Sequence, residues 1–186
     1  MLIKYEKQNK FKPVSEGFHQ AVCKSVYNLG LQEINYQTER KIEHRVVIVW
    51  EVDERITDEG EYKGKRYNLS REYKVSLHEK SNLRKDLISW RGRDFTDDEL
   101  QGFELNSIIG ANCWLEVTHD GDYAKVKSVK NFKPLMVGQT LPEPMIIKDT
   151  TGNIPKRIKA KIDKQLPPEQ SQAVASNTTD DDIAPF

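Results

Sequence analysis

SNLRKDLISWRGRDFTDDEL, residues 81–100, is the stretch in which the hydrophobic period of this chain changes. Its place among the strands decides the fold. Ser81 can cap a short helix whose Leu83, Leu87 and Trp90 recur at intervals of four and three residues, giving one apolar stripe that must lie against something. Thr96 followed by Glu99 is a capping box, and Phe95 and Leu100 are spaced as a hydrophobic staple, so a second helix start is marked immediately afterwards.

On either side the period is two. Upstream, Gly17–Leu29 is rich in Val, Phe and Tyr and is closed by Gly30, which predicts a long strand; the polar run QEINYQTERK then predicts a link. His44–Val52 is dominated by Val, Ile and Trp and predicts a second strand, followed by a charged loop, Asp53–Lys65, containing Gly60 and Gly64. Tyr67–Leu77 predicts a third, with Tyr67, Leu69, Tyr73, Val75 and Leu77 on one face. Arg71 falls on that face too, so either the strand is bulged or the face is not purely core. Downstream, Gly110 leads into Asn112–His119, with Cys113, Leu115 and Val117 opposed to Trp114, Glu116 and Thr118. Asp120-Gly121 is a tight hairpin turn, and Tyr123–Phe132 returns as a fifth strand.

Three strands, a helical insertion and two strands is the layout of a mainly β, five-stranded oligonucleotide-binding (OB) Greek-key barrel, in which the second and third strands and nearby loops commonly bind single strands. Other small five-stranded barrels fit the same elements. Three segments, EGFHQAVCKSVYNLG, EKSNLRKDLISWRGRDFTDDEL and YAKVKSVKNFKP, carry a resemblance as well. From Gly17 to Leu135 the chain resembles the single-stranded DNA-binding proteins of tailed bacteriophages, which implies an OB-fold that coats DNA during replication or recombination.

Single strands are held by aromatic faces that stack on bases and by cations that meet phosphates. The densest interleaving of the two is Tyr62, Lys63, Lys65, Arg66 and Tyr67, continued by Arg71, Tyr73 and Lys74; it spans the third strand and the loop before it, which Gly60 and Gly64 let fold over a ligand. The competing reading is a solvated hairpin tip, diluted by Asp58, Glu59 and Glu61. Trp50 shares its alternation with Val46, Ile48 and Val52 and belongs to the core, which leaves Arg45, on the other face, as the better DNA contact from that strand. Trp114 is the more exposed tryptophan by its neighbours, a candidate for base stacking or for a contact between subunits of a homo-oligomer. Arg91 and Arg93 could reach phosphate, or pair with the nearby acids.

The body divides into an arm (residues 1–14), the barrel (15–135), a proline-containing extension (136–166) and an acidic tail (167–186). In the extension, Ile154, Ile158 and Ile162 recur every four residues among Lys156, Arg157, Lys159, Lys161 and Lys164, the pattern of a short basic amphipathic helix packed on the barrel or contacting nucleic acid, a partner chain or a membrane surface. The tail is polar and small and predicts disorder. It closes on Asp180, Asp181, Asp182, Ile183, Ala184, Pro185 and Phe186. A terminal phenylalanine can enter an apolar pocket while its α-carboxylate meets a basic rim. This terminus resembles the acidic tip of bacterial single-stranded DNA-binding proteins, which implies recruitment of replication or recombination enzymes; Ala184 shifts Ile183 out of that tip's usual register. A disordered solubilising tail is the plainer reading.

Lys plus Arg and Asp plus Glu are both 29. From Pro167 onward the chain holds Glu169 and three aspartates and no cation, so the preceding residues carry a net +4. A mildly basic body with an acidic end suits a polyanion binder. Cys23 and Cys113 stand far apart and the four histidines are scattered, so neither a metal site nor a cofactor is expected. The charged start and the absence of a run of about 18 apolar residues predict no signal peptide, no membrane span and a cytoplasmic protein, that of the bacterial host if phage-encoded. No phosphate loop, HExxH or GxSxG motif is present, and an enzyme is not expected. Alternatives from other classes are a non-catalytic replication adaptor that binds protein through the barrel, and an RNA-binding OB protein.

Overall fold

The computed structural model describes residues 12–36, 39–148 and 152–167. One antiparallel sheet organises them, with strands β1 (Gly17–Tyr36), β2 (Glu39–Arg55), β3 (Arg66–Lys74), β4 (Asn112–Asp120) and β5 (Tyr123–Asn131) in the order β3-β2-β1-β4-β5. Between β3 and β4 come helices α1 (Asn82–Arg91) and α2 (Asp97–Gln101) and a 3-10 turn, Leu105–Ile108; α3 (Lys156–Ile162) follows β5. The architecture is therefore mainly β with few helices, and the helical insertion lies where the change of period puts it.

The first two strands are longer than the sequence reading has them. Where a link was expected, Leu31–Tyr36 pairs residue by residue with Glu39–His44, extending β1 and β2 as a two-stranded arm beyond β3. Its Glu39, Arg40 and Lys41 side chains are exposed and Arg40 pairs with Glu33, so the backbone ladder forms with no apolar alternation to announce it. Gly30 does not end the strand either. It sits at an irregularity between Asn28 and Gly30 with φ 66°, its N–H donating to Asn28 Oδ1 at 2.8 Å. The left-handed conformation favours glycine, and a Cβ there would also displace the Gln165 side chain, whose Oε1 would lie 2.2 Å away.

The core lies between one face of the sheet and α1. Ala21, Cys23, Val46, Ile48, Trp50, Val52, Leu115, Val117 and Val129 meet Leu83, Leu87 and Trp90 there. The Trp50 and Trp90 rings lie 5.9 Å apart, Trp90 Nε1 donates to the Asn112 carbonyl at 2.9 Å and Asn131 Nδ2 donates to the Trp90 carbonyl at 2.8 Å, so α1 is fastened to β4 and to β5. Ser81 occupies the N-cap position of α1, though its hydroxyl makes no capping bond. The Thr96–Glu99 capping box is present in full, while Phe95 packs edge-on against Phe103, 5.2 Å away, and leaves Leu100 exposed.

Strand β3 runs in unbroken register with β2 from Asn68 to Lys74, so no bulge accounts for Arg71. Its side chain points to the core side. There it pairs with Asp86 at 2.9 Å and donates to the Lys127 carbonyl at 2.9 Å. Lys127 is the extra residue at the register shift of β5, left without a Cα partner in β4. Arg71 thus ties the two outer strands of the sheet together.

The opposite, outer face is covered by the chain's own extension. Residues 133–145 cross β4 and β1: Trp114 Nε1 donates to the Lys133 carbonyl at 2.9 Å, Gln20 Nε2 to the Glu143 carbonyl at 2.6 Å, and Asn112 exchanges two hydrogen bonds with the Met145 backbone. Lys148 N–H then reaches Glu51 of β2, and α3 closes a second small apolar cluster of Leu29, Val47, Val49 and Ile158. Burying Ile158 contributes about 2 kcal/mol to holding that helix in place.

Candidate nucleic-acid interface

The charged loop between β2 and β3 is a compact turn. Ile56 and Lys65 exchange backbone contact through Ile56 N–H to the Lys65 carbonyl at 2.9 Å, Gly64 N–H returns to the Ile56 carbonyl at 2.8 Å, and Lys65 N–H bonds the Tyr62 carbonyl at 3.0 Å. Gly64 has φ 78°, which no other residue type takes so readily. This folding puts the Tyr62 ring in solvent, 55% exposed, with Lys65 Nζ 4.9 Å from its centroid. An exposed tyrosine next to an ammonium is a ready platform for a base and its phosphate.

Below the pair lies an open groove of about 700 Å³, lined also by Arg55, Arg66, Asn68 and Lys148. Arg55 Nη1 donates to the Gly64 carbonyl at 2.8 Å, and the Lys148 ammonium forms no salt bridge among the described residues. The groove's two carboxylates are Glu51 and Glu61; Glu51 is engaged by Arg66 at 3.3 Å and by the Lys148 N–H at 3.2 Å. Arg66 itself is spent on structure, since it also donates to the Ile146 carbonyl at 2.8 Å and so clamps the extension onto β2 and β3.

A second open groove, about 580 Å³, lies at the far end of β3 and is lined by Arg45, Lys74, His78 and Lys80 with Glu43 and Glu72. Arg45 is held between Glu43 at 2.9 Å and Glu72 at 3.1 Å. Burial alone would raise the Glu72 carboxyl, but the Lys161 ammonium and Arg45 guanidinium beside it outweigh burial and hold it below its ordinary value. Lys74 is more open, 3.5 Å from Glu43.

Three of the aromatics expected to stack are elsewhere. Tyr67, Tyr73 and Trp114 are all buried, at 5%, 2% and 7% exposure. By alternation Tyr67 and Tyr73 face the core, where Tyr67 Oη donates to the Lys12 carbonyl at 2.7 Å and Tyr73 Oη to Asp86 Oδ2 at 2.8 Å. Trp114 is on the outer face as its alternation predicts, but residues 133–145 cover it and it packs on Phe132 at 5.7 Å. A strand-by-strand reading cannot see a cover supplied by a later segment. Arg71, expected to meet phosphate, is directed at Asp86 and also lies 5.3 Å from the Tyr73 ring. Lys63 pairs with Glu59. Arg91 and Arg93 converge on Glu99, whose carboxyl the Arg93 hydrogen bond brings down to about 2. Of the ten barrel residues singled out, Tyr62 and Lys65 form the exposed aromatic–cation pair. The tip residues Asp180, Asp181, Asp182, Ile183, Pro185 and Phe186 lie outside the described residues.

Arg55 and Lys148 are groove residues that sequence reading missed. Lys148 comes from a proline-containing segment without periodicity, and its placement follows from the Asn112–Met145 and Arg66–Ile146 hydrogen bonds. Phe18, 46% exposed with Lys130 Nζ 5.8 Å from its ring, is a second aromatic–cation pair, hidden in a segment that reads simply as strand.

Among the described residues no group of three or more His, Cys, Asp or Glu could hold a metal ion, and no helix is long and apolar enough to cross a membrane. Cys23 and Cys113 are both free and buried, and burial pushes the Cys23 thiol up to about 12, so neither is a thiolate at neutral pH. Neither protein-family models nor curated proteins match the chain.

Proposed function

We propose that this protein binds single-stranded DNA without marked sequence preference, through an OB-type barrel built on the five-stranded sheet. The observation that carries the reading is the Tyr62–Lys65 pair above a groove flanked by Arg55 and Lys148, on the loop between the second and third strands. Stacking on an exposed ring is tolerant of base identity, and nearby ammonium groups take up phosphate charge. The strand order β3-β2-β1-β4-β5, the helix between β3 and β4 and the Arg71 link from β3 to β5 favour closure of the sheet in the OB manner. The net +4 of residues before Pro167 and the resemblance to phage single-stranded DNA-binding proteins support it further. In a cell the protein coats exposed template during replication or recombination, and Asp180–Phe186 recruit partner enzymes.

Fluorescence anisotropy with labelled oligo-dT, the same length of duplex DNA and oligo-U tests it. Oligo-dT should bind most tightly and should weaken as salt rises, because bound counterions are released. Preference for oligo-U would make it an RNA binder, and no oligo-dT binding at low salt would refute the proposal.

A further inference from the structure

Helix α3 lies across the outer face between the two grooves. Asn153, just before it, lines the groove under Tyr62, and Lys161 in its last turn pairs with Glu72 of the other groove. The apolar side of the helix is used up in packing, with Ile158 buried and Ile162 partly so against Leu29, Val47 and Val49. Arg157 donates to Ser70 Oγ of β3 at 2.9 Å, which fixes the helix beside that strand. What remains outward is cationic. Lys156 and Lys159 on the helix, and Lys164 in the turn that follows it, are exposed. Lys156 and Lys164 have no acidic partner among the described residues, and the exposed i,i+4 pair of Lys159 with Asp163, at 3.2 Å, is of the kind that exchanges readily for another anion.

We infer that α3 is part of the DNA path, a rail of ammonium groups that carries the strand's phosphates from the Tyr62–Lys65 groove to the groove of Lys74 and Lys80. The inference rests on the single-stranded DNA reading and assigns a further element to that same site. The alternative is a cover: DNA would use the bare outer face of β2 and β3, and α3 would have to leave. The helix is ill suited to leaving, because its departure exposes Leu29, Val47, Val49 and Ile158 and breaks the Arg157–Ser70 and Lys161–Glu72 contacts. As a rail it gives up only water and an exposed ion pair. The nine residues of β3 set the distance between the grooves at roughly 26 Å, which suits a site near the short end of the ~4–16 nucleotides such domains occupy.

The test compares the intact chain with a triple variant, Lys156→Gln, Lys159→Gln and Lys164→Gln, which keeps helix formers and the buried face, and with Ile158→Asp, which loosens α3 from the sheet. Salt-titrated anisotropy on oligo-dT is the readout. The rail predicts that the triple variant lowers the slope of log affinity against log salt by about 2 and weakens low-salt binding roughly tenfold or more. It predicts that Ile158→Asp also weakens binding. A triple variant that binds like the intact chain, or an Ile158→Asp variant that binds more tightly, would overturn the rail while leaving the DNA-binding reading in place. Failure of the intact chain to bind would overturn both.

Discussion

Replacing Arg71 with alanine separates a structural role from a DNA-contacting one. In the fold Arg71 faces Asp86 at 2.9 Å, with side-chain exposures of 26% and 16%, and donates to the Lys127 carbonyl. Removing one partner of a buried pair typically costs about 3–5 kcal/mol, and the partial exposure here brings that to about 2–3 kcal/mol. The lost bond to Lys127 adds about 1 kcal/mol. A loss near 3 kcal/mol corresponds to a fall in Tm of roughly 6–12 °C for a chain of this size. The loss should grow with pH. Burial already raises the Asp86 carboxyl above its ordinary value, against the opposing pull of Tyr73 and Arg71, and without Arg71 it rises further. A carboxyl raised in the folded state binds its proton more tightly there than in the unfolded chain, so stability falls as pH climbs from the unfolded value through the folded one. Urea denaturation at pH 4.5 and 7.5 reads this directly, and adding Asp86→Asn should recover part of the neutral-pH loss while still accepting the Tyr73 hydroxyl. The folded fraction of Arg71→Ala should bind oligo-dT as the intact chain does. Wild-type stability together with weakened DNA binding would refute the structural assignment and return Arg71 to the interface.

Tyr62→Ala should leave Tm within a degree or two and weaken oligo-dT binding roughly 5- to 150-fold, the equivalent of about 1–3 kcal/mol for one stacked base; unchanged affinity would place the strand elsewhere. Gly30→Ala should cost about 1–3 kcal/mol by forcing φ 66° on a side chain that also meets Gln165, visible as a lower urea midpoint. His19 is raised above its ordinary 6.5, first by its hydrogen bond to Asp53, against burial, with Ser15 and Glu54 assisting. Its contribution is therefore full below the unfolded value and lost as pH rises through the folded one, so the urea midpoint should fall on going from pH 6 to pH 8.5, less so in His19→Gln. Deleting Asp180–Phe186 should leave oligo-dT affinity unchanged or raised, since the aspartates compete with DNA for a basic body, and should abolish recruitment of partner enzymes in pull-downs; a clear loss of DNA affinity would contradict this.

The succession of strands and the helical insertion were legible because they are written in composition and periodicity: a continuous Val/Ile/Trp run in His44–Val52, two-residue alternation in Asn112–His119, and a four-and-three spacing in Leu83, Leu87 and Trp90. The β1–β2 arm was not, because a ladder that buries neither face leaves no apolar signature. The candidate interface was half legible. Aromatic and basic residues interleave at 62–74, but alternation sends Tyr67, Arg71 and Tyr73 inward, and that parity was on view in the sequence: Arg71 shares the face of Leu69 and Tyr73. Trp114 shows the limit of reading strands singly. Its neighbours Glu116 and Thr118 mark an outward face, and a segment that begins nineteen residues later, at Lys133, returns to cover it. Ile154, Ile158 and Ile162 foretold a packed helix; Ile158 is buried, while Ile154 stays exposed before the helix begins.

The central claim is that the β2–β3 loop and its groove bind single-stranded DNA, and its most direct measurement is anisotropy of the intact chain with labelled oligo-dT across a salt titration, run beside duplex of equal length. The account predicts saturable binding to oligo-dT, weaker binding to duplex, and an affinity that falls linearly on a log–log plot with a slope of about −0.7 for each phosphate contact. Equal affinity for duplex, or no binding at 50 mM salt, would contradict it.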